Sequence, residues 1–129
     1  MIGILLVTHG EIGKSLIDCA SNILGKSINL LECIPIDPKS DIEECQKIIE
    51  NEIKNLDQGA GVLIITDIYG ATPSNILKKY SVQNNIEVIT GINLPMLIQA
   101  ITNRDGSLTQ TTNKCIQSAE DGIINMSKK

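Results

Sequence analysis

His9 is the only histidine in the chain. It lies in Val7-Thr8-His9-Gly10, where an apolar run over residues 2–7 gives way to a helical pattern. Imidazole changes charge near neutral pH, so a lone histidine at a strand-to-helix junction suits reversible chemistry. The same residue can serve as an idle surface or capping group. The second group of interest is Asp67, which ends the most apolar stretch of the chain, residues 62–66. A carboxylate beside an imidazole accepts the hydrogen bond of one ring N–H. That fixes the tautomer and leaves the other nitrogen a free lone pair. Asp67 can also make an Asx-turn into Ile68-Tyr69-Gly70, and the two uses are compatible.

Whether His9 and Asp67 meet is decided by the elements that carry them. Residues 2–7 read as a short, fully buried strand. A helix over about 11–24 follows, with Ile12, Leu16, Ile17, Ala20, Ile23 and Leu24 at helical spacing and Gly25 as its stop. Residues 28–34 read as a second strand, ended by Pro35 and Pro38. Ser40 and Glu43 have the spacing of a capping box. The helix they open carries a stripe of Ile42, Cys45, Ile48, Ile49, Ile53 and Leu56. Residues 62–66 form a third strand, central in the sheet. Thr72 as N-cap and Pro73 at the first helical position open a helix to about Tyr80. Residues 87–90 are a fourth strand, 93–103 a fourth helix and 112–121 a fifth. A short apolar piece, 123–126, precedes the basic Lys128 and Lys129.

Buried strands alternating with amphipathic helices imply an α/β fold, an open, mostly parallel sheet with helices on both faces. Right-handed crossovers favour the strand order 2-1-3-4. Ligands of such sheets bind beyond the carboxyl ends of the strands, where the order reverses. Here that point lies between strand one, which His9 follows, and strand three, which Asp67 follows. The fold alone therefore brings the two together. Helix starts surround them, at Gly10 and at Thr72-Pro73-Ser74-Asn75, with Gly70-Ala71 keeping the backbone accessible. Helix amides and the positive dipole end suit an anion, so Gly10, Gly70, Thr72 and Ser74 are candidate phosphate contacts. Ordinary capping is the duller use of the same residues. The one arginine, Arg104, is far along the sequence from both groups. A site that held a phosphate ester tightly would bring an arginine fork, so its absence fits a weak, transient phosphoryl site.

Composition narrows the classes. The 129 residues suffice for one domain, spanning 1–129, with a single sizeable core. The chain has no Trp, no Phe and two Tyr, and its net charge is −4. Aromatic poverty and acidity argue against nucleic acid. No apolar run reaches the ~20 residues of a membrane helix, and no secretory signal is present, so a cytoplasmic location is expected. Cys19, Cys33, Cys45 and Cys115 form no CxxC and no metal-ligand spacing, and read as small apolar residues. No metal and no cofactor are expected. Thr8 stands where a histidine phosphatase would need arginine. The acidic residues of a receiver domain, the phosphate loop of a flavodoxin and a Walker loop are all missing.

Three stretches in register resemble the signature blocks of one family. They are Val7-Thr8-His9-Gly10, then Thr66-Asp67-Ile68-Tyr69-Gly70-Ala71-Thr72-Pro73-Ser74-Asn75, then Gly91-Ile92-Asn93-Leu94-Pro95-Met96-Leu97. They look like those of the mannose-family enzyme IIA of the phosphoenolpyruvate-dependent phosphotransferase system. The resemblance covers essentially the whole chain. It implies that His9 is phosphorylated by phospho-HPr and that an enzyme IIB accepts the group. A membrane IIC/IID pair would be involved only indirectly. It places the imidazole-orienting aspartate on Asp67 and the family's helix-start hydroxyl on Thr72. It also implies an antiparallel edge strand exchanged within a homodimer, which would fall on residues 123–126. Pro95-Met96-Leu97 is then either part of a docking rim or core. The chain ends soon after the IIA region, so no fused IIB domain is expected. Two alternatives belong to the same resemblance: a stand-alone regulatory IIA that signals its phosphorylation state, and the related subunit of dihydroxyacetone kinases.

Overall fold

The computed structural model describes residues 1–127. Four parallel strands form one sheet: β1 (Gly3–His9), β2 (Leu31–Ile36), β3 (Val62–Thr66) and β4 (Ile86–Ile89), in the order β2-β1-β3-β4. The helices are α1 (Ile12–Leu24), α2 (Ile42–Leu56), α3 (Thr72–Leu77), α4 (Leu94–Thr102) and α5 (Leu108–Asp121), with a 3₁₀ turn at Lys78–Tyr80. The expected strand order and central β3 are both found.

Alternation along the strands divides the core into two layers. Ile4 and Leu6 of β1 and Leu63 and Ile65 of β3 face α1, α4 and α5. Leu5, Val7, Val62 and Ile64 face α2 and α3. Both central strands are buried on both sides, which explains their unbroken apolar runs.

The departures from expectation lie at the edges. Strand β2 runs through Pro35 to Ile36 instead of ending before it. It is an edge strand, where a residue without an N–H costs no ladder bond on the open side. This extension pairs Ile36 with His9 and carries β1 two residues further than the apolar run suggested. Residues 28–30 are not strand: Leu30 has a positive φ of 51°. Buried Arg104 pins this bend by donating to the carbonyls of Asn29 and Leu30.

Helix α2 starts on Asp41, whose carboxylate accepts from the Glu43 amide. Ser40 instead accepts from the Asp37 amide, so the expected capping box is not formed. Asp41 is one residue closer to the helix, and the Asp37–Ser40 turn uses the hydroxyl first. Ile12, Ile23, Ile42 and Ile48 are exposed, because α1 and α2 lie on the sheet along narrower stripes than the sequence suggested. Cys45 and Cys115 are buried, Cys33 is half-buried and Cys19 is exposed. Ser107 caps α5, which begins four residues earlier than expected. Residues 123–126 form no strand within their own chain. Lys128 and Lys129 lie outside the described residues.

Candidate functional site

His9 is the last residue of β1, and Asp67 directly follows β3. Oδ2 of Asp67 accepts from the His9 backbone amide at 3.0 Å and lies 2.9 Å from Nδ1 of the ring. Oδ1 accepts from the Ile68 amide at 2.9 Å and, more loosely, from the Thr66 hydroxyl. Burial pushes the Asp67 carboxyl upward, but the hydrogen bonds from His9 and Ile68 outweigh it and hold the group below the usual carboxylate range. An ionised carboxylate only accepts, so Nδ1 must carry the ring proton. Nε2 then keeps its lone pair. The imidazole side chain is 45% exposed, against 13% for Asp67. The carboxylate is sheltered and the nucleophilic ring is open to a partner.

Thr8 holds the turn that displays the ring. It is buried, and its hydroxyl accepts from the Gly13 amide at 2.9 Å, satisfying one free N–H of the first turn of α1. Gly10, at a φ of +46°, lets the chain turn from β1 into α1. Behind Asp67, its carbonyl accepts from Gly91 and that of Thr66 accepts from Ile92. Asn93 caps α4 through the Met96 amide and donates to the Ala119 carbonyl. All three sequence blocks thus converge on the carboxyl end of the sheet. Beside His9 is a recess of about 120 Å³, lined also by Ile36, Asp37, Pro38 and Thr72.

The family model described as "PTS system fructose IIA component", EIIA-man, matches residues 3–119. The chain belongs to the EIIA-man family. The mannose-specific EIIAB component of Escherichia coli K12 is 28% identical over 125 residues, 95% of this chain and 38% of that protein. The chain therefore spans well under half of that relative's length. The sorbose-specific EIIA component of Lacticaseibacillus casei is 29% identical over 136 residues, 98% of this chain and 91% of that protein. The crystal structure of the phosphotransferase component EIIA from Streptococcus agalactiae matches with a TM-score of 0.86 at 25% identity, covering 97% of each chain. EIIA-man proteins are components of a phosphotransferase, with a phosphocarrier role in sugar phosphotransfer. No helix among the described residues is long and apolar enough to cross a membrane.

Of the residues expected at the site of this EIIA-man chain, His9, Asp67 and Thr72 come together. Gly10, Gly70 and Ser74, the other expected phosphate contacts, are engaged within the fold. The Gly10 amide donates to the Ile36 carbonyl. The Gly70 amide donates to the Ser74 hydroxyl, which itself donates to the Ala71 carbonyl. These groups hold the loop before α3. Thr72 is the first residue of α3 and Ala71 its N-cap, so Thr72 does not cap the helix. Met96 and Leu97 are core residues, which leaves Pro95 alone of that trio exposed. The sequence reading overlooked Thr8 as a helix cap and Asp37 as a wall of the recess. A buried-strand threonine just before a helix start was the available signal for the first.

Proposed function

We propose that this protein is a phosphohistidine carrier: His9 accepts a phosphoryl group from phospho-HPr and passes it to an enzyme IIB component in sugar uptake. The observation that carries the reading is the Nδ1–Asp67 pair on an open ring, in a chain of the EIIA-man family. Nε2 attacks the phosphorus in line with the donor nitrogen. The new P–N bond forms as the donor's P–N bond breaks, and the donor imidazole leaves with the electron pair. The loose transition state asks mainly for positioning and charge stabilisation. Asp67 supplies positioning and stabilises the positive charge that grows on the His9 ring. One P–N bond replaces another, so the step runs with little change in free energy in either direction. The carrier works as a homodimer in which residues 123–126 pair with the partner's sheet edge.

Phosphoenolpyruvate, enzyme I and HPr are supplied and intact mass is read, with His9→Ala in parallel. A gain of one acid-labile phosphoryl group, absent from the variant, is the expected result. No gain with cognate HPr, or equal labelling of the variant, would overturn the assignment.

A further inference from the structure

Strand β3 is aliphatic from Val62 to Ile65 and then ends on a threonine. Thr66 is as fully buried as the four residues before it. By strand alternation it shares the face of Val62 and Ile64, which looks onto α2 and α3. Valine has the same shape, suits a strand as well and would put no polar atom in that layer. A hydroxyl taken out of water costs free energy unless it finds a partner. Among the described residues the Thr66 hydroxyl has one, Oδ1 of Asp67 at 3.4 Å. An ionised carboxylate only accepts, so the hydroxyl donates.

This contact completes the carboxylate. Oδ2 takes the backbone amide and Nδ1 of His9, while Oδ1 takes the Ile68 amide and the Thr66 hydroxyl. The two ties on Oδ1 differ in what stands behind them. Ile68 opens a surface segment, Ile68-Tyr69-Gly70, all of it exposed. Thr66 belongs to a buried strand and pairs with Val7 of β1. Exposed segments open at small free-energy cost, whereas central strands open only with the whole fold. The hydroxyl is thus the tie on Oδ1 that survives a displacement of the loop. Without it the carboxylate turns about its Cβ–Cγ bond, a torsion with a broad, shallow minimum, and Oδ2 swings off the ring. Hydrogen bonds that serve a transfer are commonly long at rest and tighten in the reacting complex.

We infer that Thr66 is a positioning residue for phosphoryl transfer: its buried hydroxyl holds the plane of the Asp67 carboxylate from the sheet side, so that Oδ2 stays on Nδ1 of His9 and Nε2 stays unprotonated. The inference rests on the carrier reading of His9. Thr66 acts through Asp67 and exchanges no proton.

The test compares Thr66→Val, which removes the hydroxyl and keeps the shape, with Thr66→Ser, which keeps the hydroxyl. His9 is the only histidine, so the nitrogen-15 resonances of one ring report the tautomer directly. In Thr66→Val the tautomer protonated on Nε2 gains population, and in Thr66→Ser it stays at the wild-type level. At saturating phospho-HPr the rate of labelling of Thr66→Val falls about fivefold. The half-saturating concentration is unchanged, because no partner contact is lost. Thr66→Ser restores most of the rate. An unaltered tautomer ratio or an unchanged rate in Thr66→Val overturns the inference. So does a Thr66→Ser protein as slow as Thr66→Val, which would mark packing by the methyl group instead. If phospho-HPr does not label the wild type, the carrier reading fails, and the tautomer ratio still decides whether Thr66 governs the ring through Asp67.

Discussion

A single oxygen, Oδ2 of Asp67, holds both the backbone and the ring of His9. Replacing Asp67 with Asn keeps the shape but offers a donor as well as an acceptor, so the ring can take the tautomer with its proton on Nε2. Initial rates of HPr-dependent labelling are expected to fall about 10- to 100-fold in Asp67→Asn. In His9→Ala labelling is lost entirely. The same contact carries a pH signature. The folded carboxyl lies below its unfolded value, so the unfolded chain binds the proton more readily. Asp67 thus stabilises the fold fully above the unfolded value of about 4 and loses that contribution as pH falls through the folded one. Urea unfolding should show a gap between wild type and Asp67→Asn at neutral pH that closes in acid. This pair was legible in the sequence because both residues end strands and the strand order sets their adjacency. The internal partners of the Gly10 and Gly70 amides were not legible. Whether an amide is free depends on where the Ile36 carbonyl and the Ser74 hydroxyl come to rest, and local sequence does not encode that.

At the scale of elements, the junction between β1 and α1 does the positioning. Thr8→Val keeps the volume and removes the acceptor of the Gly13 amide, leaving a buried N–H unpaired. The expected cost is about 1–3 kcal/mol, read as a lower urea midpoint with unchanged slope. Gly13→Ala attacks the same junction sterically: a Cβ there would lie 3.0 Å from the Thr8 hydroxyl and 3.2 Å from the Cys33 Cβ. Both variants should also slow labelling, because they loosen the turn that presents the ring. The central strands were readable from apolar runs alone, since burial on both faces leaves no other composition. The edge was not. Pro35 reads as a strand end, yet at an edge it continues the strand, and that extension carries β1 as far as His9. Ser40 reads as the cap, yet the turn at Asp37 takes its hydroxyl and Asp41 caps α2 instead.

For the whole molecule, the open question is the outer edge of β4, which pairs with β3 on one side and with no strand on the other. Next to it is a groove of about 490 Å³, lined by Leu77, Val88, Ile89, Thr90 and Ile116 among others. The chain's remaining apolar segment is unpaired too: Ile123, Ile124 and Met126 are 78%, 71% and 88% exposed. An open strand edge and an exposed apolar strand-length segment each cost stability in water, and pairing one with the other in a second copy removes both costs. Two-fold symmetry makes the exchange twice, which suits a short segment. The dimer proposed for this carrier is therefore expected by light scattering, and truncation after Gly122 should yield a monomer with its helical circular dichroism kept. A monomeric wild type, or a truncated chain that still dimerises, would sink the exchange. The consequence reaches the site. The Gly91 amide, just past the end of β4, bonds the Asp67 carbonyl, so an edge left unpaired loosens the support of the carboxylate. The truncated protein should accept phosphoryl more slowly than wild type, yet faster than Asp67→Asn, because the side-chain contact to His9 remains.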